Sequence, residues 1–409
     1  MATATKTFEY AVRNRSGKLI KGRIEANNQA AVAGRLKTMG LAPVSIAEVQ
    51  NTGLKRDISI PGFGNKIGLK DLAVLARQLA TMINAGLSLI RALGILAEQT
   101  ESKPLARVVG QVRTDVETGS SLSVALGKHA DVFPPLMINM VRAGEIGGFL
   151  DEVLNSIAEN FEAEVKLRGK IKSAMAYPVM VFVMAILATV GMLLFIVPVF
   201  ASMFDGLGGE LPLPTRILVI MSAAMKWLAP ILLVAYIAFA VWWQKHKNDR
   251  AVREKVDPVK LRIPVFGSLF QKIAVSRFTR NFGTMIHAGV PILQALDIVG
   301  ETSGNIVIER AARDVGESVR RGESLAGPLA KHAVFPPMVV QMMAVGEDTG
   351  ALDTMLHKIS EFYDQEVEAT TEALTSLIEP LMIAIIGAII GSMIIAMYMP
   401  IFKIFDLIG

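Results

Sequence analysis

The chain contains no cysteine, which excludes disulfides, thiolate metal sites and a cysteine nucleophile. Histidine is scarce: His129, His246, His287, His332 and His357 form no H-E-x-x-H motif and no close metal-ligand cluster. The phosphate-binding pattern G-x-x-x-x-G-K-[ST] is missing, since "GKIKS" and "GKHA" lack its glycine spacing, so nucleotide hydrolysis by such a loop is excluded. Charge is sparse as well. Only 19% of the 409 residues are charged against 52% hydrophobic, and the mean hydropathy of +0.45 is too apolar for an ordinary soluble protein. The sequence therefore predicts a membrane protein without catalytic residues, cofactor or metal. Its opening stretch, "MATATKTFEYAVRNRSGKLIKG", has no apolar run, which predicts no signal peptide and a cytoplasmic start.

Three apolar stretches stand out. No charged residue occurs between Lys172 and Asp205, and the span from Pro178 to Pro198 covers about 30 Å as a helix, the hydrocarbon thickness. The second, "ILVIMSAAMKWLAPILLVAYIAFAVWW", contains Lys226, which near the bilayer centre costs about 3 kcal/mol. Placing Lys226 and Trp227 at one interface and Trp242 and Trp243 at the other leaves residues 214–225 projecting beyond the membrane; a longer, tilted span with a snorkelling Lys226 is the rival placement. The third runs uncharged from Pro380 to Pro400. Lys166, Arg168, Lys170 and Lys172 precede the first span, and Lys245, Lys247, Arg250, Arg253 and Lys255 follow the second. Segment 201–215 between them has neither Lys nor Arg, so the positive-inside rule places both basic flanks in the cytoplasm. Orientation thus accounts for the net charge of +5 without a nucleic-acid partner. Span parity puts the C terminus outside. Glu361, Asp364, Glu366, Glu368, Glu372 and Glu379 approach the third span as an acidic run, where solvation of a helix face is expected.

The rest of the chain carries a duplication. "RQLATMINAGLSLIRAL" at 77–93 returns as "RNFGTMIHAGVPILQAL" at 280–296, and "TGSSLSVAL" at 118–126 as "RGESLAGPL" at 321–329. "FPPLMINMVRAGEIGGFLDEVL" from Phe133 returns as "FPPMVVQMMAVGEDTGALDTML" from Phe335, with the offset shortened by one residue. Leu72, Leu75, Leu79, Met82 and Ile83 recur at helical spacing, so each copy reads as short antiparallel helices ending in a long helix that feeds its own span. The fold class predicted is an all-α membrane protein with two duplicated cytoplasmic antiparallel helical bundles and three transmembrane helices, preceded by a small α/β N-terminal module. That module, strand, strand, helix, strand, occupies 1–50, with Gly40 as helix cap and a Gly/Pro-rich linker at 51–68. The first bundle then takes 69–172, transmembrane helix 1 173–200, an external loop and helix extension 201–225, and transmembrane helix 2 226–244. A basic cytoplasmic linker at 245–269, the second bundle at 270–376, transmembrane helix 3 at 377–400 and an external tail at 401–409 complete the order.

Within the repeat, Pro134 and Pro135, like Pro336 and Pro337, suit a helix start, where the missing N–H needs no acceptor. Gly144 and Gly346 can end that helix, and Gly148 and Gly350 permit the turn to the next. Glu145 and Glu347 sit in the same turn, where a carboxylate accepts N–H bonds at the next helix start, and Asp151 and Asp353 read as first-turn acids. Gly387 and Gly391 form a small-x-x-x-small face for membrane packing.

The paired Phe-Pro-Pro and Gly-Glu motifs, joined to spans one and three, resemble the type II secretion F family, which includes inner-membrane platforms of type IV pili. The resemblance covers about residues 70–407, and the N-terminal module is similar to one found in long members. It implies a non-enzymatic, multi-pass platform of the bacterial inner membrane with cytoplasmic bundles. The implied partners are hexameric assembly or retraction ATPases, pilin or pseudopilin subunits, other inner-membrane assembly proteins and further copies of the chain. The family motif falls on Phe133, Pro134, Gly144, Glu145, Gly148 and Leu150, and on Phe335, Pro336, Gly346, Glu347, Gly350 and Leu352, as structural or interface positions. Inside the turn the first copy has Ile146 and Gly147 where the second has Asp348 and Thr349, which lets the bundles contact different surfaces. A pseudopilus-building secretion platform is the alternative within the family, and an oligomeric membrane carrier the alternative outside it.

Overall fold

The computed structural model describes residues 6–13, 19–26, 32, 34, 42–48, 67–205, 211–247 and 249–408, which fall into two compact units, Met1–Lys66 and Ile67–Gly409. In the first, strands β1 (Lys6–Arg13), β2 (Leu19–Ala26) and β3 (Ala42–Glu48) form an antiparallel sheet in the order β2-β1-β3. Phe8 faces Ile24 on one side and Glu48 on the other, with a register shift between Ala11 and Val12. The expected helix before Gly40 falls outside the described residues except for Val32 and Gly34, both helical; Gly40 and 51–66 of the expected linker also lie outside.

In the second unit, copy one comprises α1 (Leu69–Asn84), α2 (Leu89–Gln99), α3 (Lys103–Glu117), α4 (Leu122–Gly127), α5 (Pro135–Gly147) and α6 (Leu150–Gly191). A π-helical turn, Met192–Ile196, leads from α6 into α7 (Val197–Asp205). Helix α8 (Leu213–His246) is followed by α9 (Arg250–Arg262). Copy two comprises α10 (Phe266–His287), α11 (Ile292–Thr302), α12 (Ile306–Arg320), α13 (Ala326–Ala330), α14 (Pro337–Thr349) and α15 (Leu352–Ile408).

Helical spacing dictates the packing. Leu72, Leu75 and Leu79 make the buried face of α1, which lies against α6; α10 lies against α15 in the same way. Each copy adds the hairpins α2–α3 or α11–α12, and α5–α6 or α14–α15. The copies also pack on each other through α6 with α10 and α15, and α5 with α11, so one continuous apolar core runs from Leu72 in the first to Tyr363 in the second. Two bundles at the sequence level are one packed body.

Three helices are long and apolar enough to cross a membrane: Leu150–Met203 with its π turn, Leu213–His246 and Leu352–Phe402. The second differs from the expectation. Thr215, Leu218 and Ser222 share one buried face of α8, against Leu193 and Val197 of the first spanning helix and Met393, Ala396 and Met397 of the third. The Thr215 hydroxyl donates to the Ala396 carbonyl. Residues 215–222 therefore lie level with the ends of the other spans that are remote from the bundles, rather than projecting past them. This packing fits the longer span with a snorkelling Lys226, and a 34-residue helix of about 51 Å has length to tilt.

Two further segments differ from the sequence reading. The expected basic linker at 245–269 is mostly helical, because α9 is held by Asp257, whose buried carboxylate accepts the Ile306 N–H at 3.1 Å at the start of α12. The expected external tail at 401–409 continues α15 as helix to Ile408, through Pro400.

Candidate functional site

The repeated motif folds into the same device twice. Pro134 and Pro336 are extended N-caps, with φ −60° and −61°, and α5 and α14 start at Pro135 and Pro337. Phe133 and Phe335 are buried beneath these starts, and the Phe335 ring lies 5.1 Å from that of Phe278. The one-residue difference between the copies falls just upstream. The Phe133 N–H reaches the His129 carbonyl across four residues, whereas the Phe335 N–H reaches the His332 carbonyl across three.

Gly144 and Gly346 do not end their helices, which continue to Gly147 and Thr349. They permit contact instead: a Cβ on Gly144 would sit 3.1 Å from the Leu150 Cα, and one on Gly346 3.0 Å from the Leu352 Cα. The helix ends are made by Gly148 and Gly350, at φ +77° and +70°, where the next N–H, of Phe149 or Ala351, returns to the Gly144 or Gly346 carbonyl. That pairing is a Schellman turn, and it sets the tight α5–α6 and α14–α15 hairpins that bring Leu150 and Leu352 against the core.

Glu145 and Glu347 turn to a different helix from the one expected. The Glu145 carboxylate accepts from the Leu122 and Ser123 N–H groups, the latter at 3.0 Å, and so caps the preceding helix α4. In copy two both Glu347 oxygens accept from the Leu325 N–H, at 3.0 and 2.9 Å, at the start of α13. The first-turn donors of a short helix have no intrahelical acceptor, and a carboxylate supplies one together with favourable charge. Thus the "SL" pairs of "TGSSLSVAL" and "RGESLAGPL" are tied to the Gly-Glu turns. Asp151 is exposed, while Asp353 meets His287 Nδ1 at 3.1 Å, and that hydrogen bond holds its carboxyl below the usual range.

Three acids of the run before the third span make ion pairs between helices, while Glu361 pairs with Lys358 of its own helix. Asp364 pairs with Arg280, Glu366 with Lys272 at 2.8 Å, and Glu368 with Lys170 of α6. Beside them Glu164 of α6 meets Arg168 at 2.7 Å, Arg277 at 2.8 Å and Arg280 at 3.5 Å. Burial pushes the Glu164 carboxyl up, but the charges of Arg277, Arg168 and Arg280 and the Arg168 hydrogen bond outweigh it and hold it below the ordinary glutamate range. Arg277 is pushed down by its burial and by Arg168 and Arg280, against the pull of Glu164. Asn160 of α6 donates to Asn281 and to Thr284 of α10, each at 3.1 Å. This polar junction joins α6, α10 and α15, and hence both bundle-to-span helices.

Sequence reasoning missed the junction, although a signal was present. Arg77 and Arg280 head the matched 77–93 and 280–296 stretches. Arg77 makes a bidentate pair with Glu162, both bonds at 2.7 Å, and Arg280 pairs with Asp364 at the corresponding place. Arg77 is 37% exposed and Arg280 only 5%, because α6 of the first copy covers the second pair. Gly387 and Gly391, by contrast, have no atom within 4 Å of a Cβ position, so nothing in the described chain packs on them. Among the described residues no group of three or more His, Asp or Glu is placed to hold a metal ion.

Two matching hairpin units, each ending in a membrane-length helix, define the chain, and known proteins share them. A family model described as "Type II secretion system (T2SS), protein F" matches residues 75–198 and again 278–400, and its N-terminal domain model matches 1–47. The chain belongs to the type II secretion system protein F family. Both family matches end within a spanning helix, as the duplication requires. A type IV pilus assembly protein PilC of Myxococcus xanthus is 44% identical over 98% of this chain and 95% of its own length. The Thermus thermophilus protein of that name is 45% identical over 97% and 98%, and a type II secretion system protein F of Xanthomonas campestris pv. campestris is 33% identical over 98% and 99%.

Proposed function

We propose that the chain is an inner-membrane platform protein of type IV pilus biogenesis, which couples cytoplasmic assembly and retraction ATPases to the insertion or removal of pilin subunits. The observation that carries this reading is helix continuity. In each copy the helix that starts at the Gly-Glu hairpin, at Leu150 or Leu352, runs without a loop into a membrane-length span. A displacement imposed on a bundle is then transmitted to a rigid rod, and the Glu164–Arg280–Asp364 junction links the two rods. The identities favour pili, since pilus-assembly relatives reach 44 and 45% where a secretion relative stands at 33%.

In this reading the N-terminal α/β module and both bundles face the cytoplasm, and the C terminus lies outside. The basic flanks of the first two spans support that orientation. The chain works by organising partners, without catalysis of its own, and as a homo-oligomer with other inner-membrane assembly proteins. The motif residues around Glu145 and Glu347 hold the partner-facing hairpins in shape. Ile146, 82% exposed, and the exposed Asp348 give the two copies different tips. Gentle purification from membranes tests the reading. It predicts a hexameric ATPase and pilin in stoichiometric amounts; secretion-channel components in their place would favour a pseudopilus platform, and solute flux by the reconstituted chain alone a carrier.

A further inference from the structure

A cleft of about 610 Å³ opens where the bundle-side end of α8 meets α9 and α10, a volume in the range of small-ligand sites. Its walls carry five cationic side chains: Arg168 of α6, Lys247 just past α8, Arg253 and Lys260 of α9, and Arg277 of α10. Asp257 and Glu301 are the carboxylates among its lining residues. Asp257 is already engaged with Lys260 at 3.0 Å and with the Ile306 N–H at 3.1 Å. Glu164 and Glu309 touch the arginines from behind the wall, and positive charge still exceeds negative when both are counted. Lys247 has no carboxylate partner among the described residues.

Two guanidinium nitrogens of this wall are buried without a hydrogen-bond partner among the described residues: Arg253 Nη2 and Arg277 Nε. Arg253 Nη2 is 3.6 Å from Glu309, near enough for attraction but beyond a hydrogen bond. Neither nitrogen is open to the cleft, so the ligand is selected by the unpaired Lys247 and the surplus positive charge of the wall, which ask that it be anionic. We infer that the cleft holds a phosphate group, and that the phosphate is the headgroup of an anionic phospholipid from the adjoining leaflet.

The neighbours of the cleft select a lipid over a free phosphate. Trp243, an interfacial anchor residue at the end of the second spanning helix, lines it. One turn back along α8, Phe239 stacks on Trp243, is more than half exposed and offers acyl chains an apolar surface away from the headgroup. Anionic headgroups are drawn to such basic pockets beside spanning helices. A bound lipid there would brace α6, α8, α9 and α10 at the level of the junction.

The test uses the full chain purified in neutral detergent and moved into nanodiscs of phosphatidylcholine with or without phosphatidylglycerol, with retained lipid counted by native mass spectrometry. Wild-type protein is expected to retain phosphatidylglycerol in preference to phosphatidylcholine, and the Lys247→Gln/Arg253→Gln variant to lose that preference by roughly tenfold. Lys247→Gln alone changes an exposed side chain and should show part of the loss with an unchanged circular dichroism spectrum, which keeps the test valid if the double variant folds poorly. Lys172→Gln, a charge loss outside the cleft, should retain lipid as wild type does. Retention indifferent to the cleft variants overturns the site. Equal thermal stabilisation by inorganic phosphate in all-phosphatidylcholine discs, with no lipid preference, overturns the lipid as its source.

Discussion

Replacing Glu145 by alanine removes the acceptor for two first-turn N–H groups of α4, those of Leu122 and Ser123. A hydrogen bond to a charged acceptor contributes about 1.5–3 kcal/mol, but this carboxylate is only half-buried and water replaces part of it, so the pair should cost about 2 kcal/mol. The loss is local, since α4 has six residues and cannot hold its first turn by propagation. Hydrogen exchange of the full chain in detergent should therefore show peptides spanning 121–127 exchanging roughly thirtyfold faster. Glu347→Ala loses both oxygens from a single amide, Leu325 N–H, and should cost about 1 kcal/mol, or roughly fivefold in exchange over 324–330. Glu145→Gln keeps one acceptor oxygen and should fall between wild type and alanine. Unchanged exchange at 121–127, or acceleration at 149–153 instead, would refute the reasoning, because it would place the carboxylate on the helix that follows.

Gly144→Ala should destabilise the chain by about 1–3 kcal/mol, since its Cβ has no room against Leu150 and Val153, whereas Gly110→Ala, in open space on α3, should stabilise it by about 0.5–1 kcal/mol; thermal unfolding of the two side by side checks the contrast. Because the folded-state pKa of Glu164 is depressed, the stabilisation it supplies is complete above the ordinary glutamate value of 4.5 and is lost as pH falls through the lower folded value. Glu164→Gln should cost about 3 kcal/mol at neutral pH, by leaving buried arginine charge uncompensated, and should flatten the acid side of a melting-temperature profile. Arg280→Ala should destabilise more than Arg77→Ala, about 3 against less than 1 kcal/mol, since the first pair is covered by α6 and the second is exposed to water.

Much of the fold could be read from the residues because its signals are local. Uncharged runs of membrane length, proline pairs at helix starts and apolar positions three and four apart need no knowledge of the partner surface. The Gly-Glu turn was legible as a turn, but not the destination of its carboxylate. That reach spans the distance from Glu145 back to Leu122, and nothing in the spacing distinguishes it from a cap on the nearer helix. Gly144 misled for a related reason: glycine serves both helix ends and close approaches, and only the neighbouring helix decides. The Glu164 junction stayed hidden because it forms between copies, where the pairing of Lys170 with Glu368 crosses most of a repeat. The cost of burying Lys226 points to residues 214–225 beyond the membrane; packing of Thr215 and Leu218 on the other spanning helices favours the rival, longer span.

Rigid continuity from bundle to span is what carries force in the proposed function, and an interruption of the helix removes it. Four glycines inserted after Lys172 in α6, where the chain leaves the bundle, break the rod without touching the hairpin or the junction. Under the proposed function, piliation counted by electron microscopy should be lost in cells whose only copy carries the insert, with membrane levels of the chain and co-purification of the proposed ATPase partner retained. Wild-type piliation with the rod interrupted would contradict transmission through the helix.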